Sequence, residues 1–229
     1  MLALGLTAFA VTYGVRAAAG ADSFGYVSQA YLWLDGTLAV TQPPLAIEGV
    51  DHRTPYLAPL GYRAGAGPGT LVPVYPPGLA LIMAAFILVA GAWGPYLVAP
   101  VFAGALVLGT YLLGRRLGLS APAAFLAGLI WAFTPPRLER IDQLHLITIH
   151  WIPFGLACLH AYFETGRARD LRWAAAFLSL QALTSGHGTA MLALGAVLLI
   201  GHRALKGEPL ALSKRVRGIG VPGILLLLP

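Results

Sequence analysis

Apolar runs of helix length recur along this chain, with short charged tracts between them: 1–19, 77–92, 96–113, 119–133, 144–162, 173–183 and 189–200. A bilayer core asks for about 20 apolar residues per helical span, within a range of about 17 to 25. This repetition therefore constrains the fold more than any motif does. Only 10% of the 229 residues are charged and 58% are hydrophobic, against roughly 25% charged in a typical soluble domain. A water-soluble chain of this size has no means of covering so much apolar surface with itself. The expected class is all-α: a polytopic transmembrane helical protein of the cell membrane.

The first run reads as a membrane helix rather than a secretory signal, because it lacks a basic leading segment, places Arg16 late and is followed by further apolar runs. A lone cysteine, Cys158, cannot form an internal disulfide and reads as a small core residue. The formal net charge of +6 is gathered in tracts between apolar runs, at Arg115-Arg116, at Arg167 to Arg172, and at His202-Arg203 continuing through Lys206 to Lys214, Arg215 and Arg217. Cytoplasmic loops carry such an excess, so these tracts are read as cytoplasmic and nucleic-acid binding is rejected.

With the basic tracts inside, 119–133 leaves the cytoplasm, 144–162 returns, 173–183 leaves and 189–200 returns. The outgoing segments are short for full spans and are expected to extend through flanking residues such as Thr134 and Asp170. The loops 134–143 and 184–188 then face outward. The first half has a parity problem, because two complete spans at 77–92 and 96–113 would return the chain from an outward Asp22 to the wrong side of Arg115. Either 77–92 is a juxtamembrane or re-entrant helix, or the N-terminus faces outward. Pro76-Pro77 before the run and Gly91 to Pro95 after it punctuate it as a short, broken element and favour the former.

An external first loop is expected over about 21–75. Within it, 24–34 interleaves aromatic and aliphatic residues with Ser28 and Gln29, the pattern of a helix lying along an interface. Thr41 to Pro44 and Gly61 to Gly69 read as loop. The glycines complete no nucleotide P-loop, since no Gly-Lys-Ser or Gly-Lys-Thr follows.

Few residues on the outward side carry chemistry. Asp22 either caps the interfacial helix or acts as a general base toward a hydroxyl, and the two roles can coexist. Glu139 and Asp142, three apart, share a face if a helical turn runs through them, or pair with Arg137 and Arg140 in a solvated loop. Arg63, Arg137, Arg140 and His187 are the groups able to meet a phosphate, a task for which the guanidinium fork is suited. His145 and His150 are five apart and make no metal triad with Asp142, so histidines buried in helix packing are expected and no metal or cofactor is assigned. The run Thr184-Ser185-Gly186-His187-Gly188 either lines a headgroup or acceptor pocket or permits close helix packing.

Asp22 beyond the first helix, the stretch Tyr31 to Gly36, Tyr75-Pro76-Pro77-Gly78-Leu79 and the Arg115-Arg116 turn together resemble the N-terminal module of the GT-C membrane glycosyltransferases. The bacterial protein-mannosyltransferase, aminoarabinose-transferase and lipopolysaccharide-sugar-transferase types are the most similar. The resemblance implies a catalytic aspartate at Asp22 and a second acidic position at Asp142, with Glu139 as the near alternative. It also implies juxtamembrane helices in the first external loop. The family carries Lys or His before the Pro-Pro, where this chain has Tyr75; Tyr75 is therefore a substrate-binding candidate, with Arg63 able to substitute at the phosphate.

The implied function is transfer of a sugar from a polyprenyl-phosphate donor to a lipid, glycan or protein acceptor hydroxyl, with the active site extracytoplasmic and membrane lipids as further partners. A transporter or flippase of a lipid-linked or polar substrate is the alternative, and a noncatalytic membrane subunit a third. Members of the family are longer, and 225–229 falls within an apolar segment. The 229 residues are accordingly expected to be the N-terminal transmembrane module, incomplete at its C-terminus.

Overall fold

The computed structural model describes residues 1–14, 16–18, 20–42, 58–67, 69–132 and 150–205. The chain is mostly helical: α1 (Leu2–Tyr13), α2 (Gly20–Leu34), α3 (Pro77–Ala90), α4 (Gly94–Arg116), α5 (Ala121–Ala132), α6 (Trp151–Thr165), α7 (Ala168–Thr184) and α8 (Gly186–Leu205). Three short strands, not expected from the sequence, lie between α2 and α3: β1 (Val40–Thr41), β2 (Tyr62–Ala64) and β3 (Thr70–Pro73). They form an antiparallel sheet in the order β1-β3-β2, with Val40 opposite Leu71 and Arg63 opposite Val72. Thr41 and residues 62–64, read as loop from their turn-forming neighbours, are therefore paired strands. The glycines of 65–69 make the hairpin bend, while the flanking residues supply the ladder.

Among the described residues, two stretches are long and apolar enough to cross a membrane, Pro77–Arg116 and Gly186–Leu205. The first is interrupted. Gly91 closes α3 at φ +58, a conformation that a side chain disfavours, and the chain folds back so that a Cβ on Gly94 would stand 2.4 Å from the Ile87 nitrogen. The 14 residues of α3 cover about 21 Å and the 23 of α4 about 35 Å, against a hydrocarbon core of about 30 Å. Pro77 near the start of α3 loses no needed hydrogen bond there. The first helix is also shorter than the apolar run suggests: α1 has 12 residues, about 18 Å, because Gly14 leaves it in an extended conformation.

Helix α4 is the centre of the bundle and packs against α1, α3, α5 and α6. Close approaches at small residues set the directions. Gly104 meets Ala3 and Thr7 of α1, Gly109 meets Pro153 and Phe154 of α6, and Gly114 meets Ala124 of α5. Gly155 against Leu192 and Gly195 against Leu156 place α8 parallel to α6, with α7 returning between them. Small residues at these positions let the helix backbones approach closely. Large aliphatic side chains lie on the outside, with Val89 89%, Leu88 76% and Leu198 64% exposed.

One consequence is a segregation of charge. The C-termini of α4, α6 and α8 and the N-terminus of α7 share one end of the bundle, which gathers Arg115, Arg116, Arg167, Arg169, Arg172, His202 and Arg203. Both ends of α3 lie toward the opposite end: Gly78 abuts the last turn of α7 at Leu183 and Thr184, and Gly91 leads into the start of α4. At the arginine end, the buried Arg203 donates to Glu164 Oε1 at 2.8 Å and lies over the Phe163 ring.

The hydrogen bond from Arg203, followed by the charge of His160, pulls the Glu164 carboxyl below its ordinary value of 4.5. A depressed folded-state pKa contributes stability above the unfolded value and loses it as pH falls through the folded one. Thermal unfolding in detergent should therefore lose more stability below pH 4.5 in the wild type than in Glu164→Gln. Parallel profiles for the two proteins would refute the linkage.

Candidate functional site

Helix α2 begins at Gly20, earlier than the aromatic pattern from Phe24 suggests. Asp22 thus lies inside the first turn rather than ahead of the helix, where a carboxylate complements the partial positive charge of the helix N-terminus. Asp22, Tyr26 and Gln29 follow at i, i+4 and i+7 and so share one face. Tyr75, two residues before α3, lies across that face. Its hydroxyl donates to Asp22 Oδ1 at 2.6 Å, its ring packs on Tyr26 with centroids 4.6 Å apart, and its carbonyl accepts from Gln29 Nε2 at 3.4 Å.

Two glycines make room for this ring. A Cβ on Gly25 would stand 2.2 Å from Tyr75 Cε2, and one on Gly61, which also has φ +92, would stand 2.7 Å from the same atom. Burial, and then the charge of Asp22, raises the Tyr26 hydroxyl to about 12. Burial likewise pushes the Tyr75 hydroxyl far up, reinforced by its hydrogen bond to Asp22 and by the charges of Asp22 and Tyr26. Both phenols therefore stay protonated at neutral pH, and Tyr75 remains a donor to the carboxylate. A carboxylate has acceptor positions beyond the one such a donor occupies.

The other sequence candidates are placed as follows. Arg63 is exposed on β2 next to Tyr62; successive side chains of a strand point to opposite faces, and Tyr62 is turned toward α2, where its hydroxyl contacts Ser28 Oγ. Arg63 therefore faces away from α2. His187 is exposed in the first turn of α8, whose N-terminus is capped by Ser185 Oγ accepting from the Gly188 N–H. That turn follows the Leu183–Thr184 backbone on which Gly78 packs, three residues beyond Tyr75. Asp22, Tyr75 and His187 thus lie toward the same end of the bundle, away from Arg115, Arg116, Arg167, Arg169 and Arg172, whereas Arg63 and Arg16, whose guanidinium lies over the Trp93 ring, are at the Asp22 end. Arg137, Glu139, Arg140, Asp142 and His145 lie outside the described residues. His150 is buried at the start of α6, its ring centroid 4.0 Å from that of Phe102.

The structure joins Asp22 to Tyr75 and brings neither Arg63 nor His187 into contact with that pair. Tyr26, Gln29, Gly25 and Gly61 were not among the sequence candidates. The spacing of Asp22, Tyr26 and Gln29 on one helical face is the signal that could have found the first two. Phe24 and Ser28 of α2 line an open cavity of about 150 Å³ together with Tyr62 and Leu71 of the sheet. Among the described residues, no three His, Cys, Asp or Glu side chains group as metal ligands. No family model, curated protein or solved structure matches the chain.

Proposed function

We propose that this chain is a transmembrane module of the GT-C glycosyltransferase type that moves a sugar from a polyprenyl-phosphate donor to an acceptor hydroxyl at the extracytoplasmic face of the cell inner membrane. The observation that carries the reading is the Asp22 carboxylate held by the Tyr75 hydroxyl toward the end of the bundle remote from the arginines of α4 and α7. Under the positive-inside rule the arginine end is cytoplasmic, so the carboxylate belongs to the far side. The short α3, with both ends toward that side, supports the reading of 77–92 as a juxtamembrane helix. The outward display of large aliphatic side chains supports lipid contact.

In the proposed reaction, Asp22 accepts the proton of the acceptor hydroxyl as its oxygen attacks the anomeric carbon. The bond from that carbon to the phosphate oxygen breaks, and the electron pair leaves with the polyprenyl phosphate. Attack opposite the leaving group inverts the anomeric centre, by extension of the geometry of inverting glycosidases. Arg63, Arg137, Arg140 and His187 are the candidates to stabilise charge on the departing phosphate, and Asp142 or Glu139 would be the second acidic group. Tyr75 holds Asp22 in this account, and the phosphate contact passes to the cationic residues.

The test is to supply membranes containing the chain with radiolabelled polyprenyl-phosphate sugars and hydroxyl acceptors. The reading expects acceptor-dependent release of polyprenyl phosphate with label in the acceptor. Release without labelled acceptor, or none with any donor while the chain is folded and inserted, counts against it.

A further inference from the structure

We propose that the arginine-rich end of the bundle is a binding surface for anionic phospholipid headgroups. Arg115 and Arg116 close α4, while Arg167, Arg169 and Arg172 stand at the start of α7, and all five are exposed. The end of α4 and the start of α7 share this end of the bundle, and Arg116 and Asp170 both act electrostatically on the Cys158 thiol of α6.

The carboxylates at this end leave the patch positive. Glu164 is engaged by Arg203, and Asp170 accepts from Thr165 Oγ1 at 2.9 Å, with Arg169 only at the 4.0 Å limit of an ion pair.

Two exposed apolar groups border the arginines and select a lipid over a free anion. Trp173, 55% exposed, is four residues from Arg169 and so on the same face of α7. Leu117, 50% exposed, follows Arg116 in the turn to α5. An indole beside guanidinium groups is the arrangement of a membrane interface. The guanidinium fork matches the oxygens of a phosphate diester, and the glycerol and first acyl carbons would lie against Trp173 and Leu117. This surface is independent of the sugar-transfer reading and requires only that the bundle sit in a bilayer.

The experiment reconstitutes the full chain in phosphatidylcholine nanodiscs with trace spin-labelled phosphatidylglycerol or spin-labelled phosphatidylcholine and measures the motionally restricted fraction of each. The expected result is about a fivefold preference for phosphatidylglycerol, given the attraction of several surface arginines for an anionic lipid. The preference should fall as salt rises above ~0.1 M, since the screening length shortens. It should be lost in the R116Q/R167Q/R169Q/R172Q variant and kept in the corresponding four-lysine variant and in R63Q. Equal association of both lipids in the wild type, retention by the four-glutamine variant, or loss in R63Q would overturn the proposal. Displacement of phosphatidylglycerol by millimolar inorganic phosphate would also overturn it, by showing a small-anion site instead.

Discussion

Under the proposed sugar transfer, Asp22→Asn is expected to lower activity by about 10²–10⁴-fold, the usual contribution of a positioned general acid or base, with insertion and folding retained. Asparagine is nearly isosteric, and its oxygen can still accept from the Tyr75 hydroxyl that now reaches Asp22 Oδ1 at 2.6 Å. What it cannot do is accept the proton of the attacking hydroxyl. Tyr75→Phe separates the chemistry from its support. It leaves the carboxylate and removes the anchor, for an expected loss of roughly tenfold, the equivalent of one ordinary hydrogen bond. Both are read in the donor-release assay beside thermal unfolding in detergent. Equal activity of Asp22→Asn and wild type would remove Asp22 from the reaction and leave it a structural partner of Tyr75.

Gly78→Val should cost about 1–3 kcal/mol of stability, the range for overpacking a close contact. A Cβ at Gly78 would lie 2.6 Å from the Leu183 carbonyl oxygen, 2.7 Å from its carbon and 3.0 Å from the Thr184 nitrogen. These are main-chain atoms of the last turn of α7 and cannot swing aside as a flexible side chain would, so α3 must move away from α7. Because Gly78 is three residues from Tyr75, that movement should also disturb the Asp22 contact. Gly5→Ala, where nothing lies within 4 Å of the added carbon, is the control and should be neutral or slightly stabilising. A Gly78→Val protein with a wild-type unfolding midpoint in detergent would show that the α3–α7 contact is looser than described.

How much of this could be read in the sequence depended on the range of the interactions. Helix-length apolar runs are local signals, and α4, α5, α7 and α8 lie where such runs predict them; α7 extends back through Asp170, as a short run needs. The sheet was not legible, because β1 has two residues and β2 three, and β3 pairs with both across intervening chain. Glycines at 61, 65, 67 and 69 made that region read as loop. The start of α2 was missed because Gly20-Ala21-Asp22-Ser23 has the composition of a turn, yet it continues a helix whose buried face runs through Ser23, Tyr26 and Ala30. Asp22 and Tyr75 were separate candidates 53 positions apart, and only packing against Tyr26 between two glycines makes them a pair. Their proposed chemistry still rests on the family resemblance, since a hydrogen-bonded Asp–Tyr pair serves structure as well as catalysis.

The central claim is that the acidic candidates share one face of the membrane and the arginines that close α4 and open α7 lie at the other. Single cysteines introduced as Ala21→Cys, Ile141→Cys and Ala168→Cys in a Cys158→Ala background, labelled with an impermeant thiol reagent in intact cells and after lysis, test it most directly. The account predicts labelling beside Asp22 and Asp142 from outside, and beside Arg167 and Arg169 only after lysis. Labelling of 21 and 141 from opposite sides, or of 21 and 168 from the same side, would contradict the shared extracytoplasmic site.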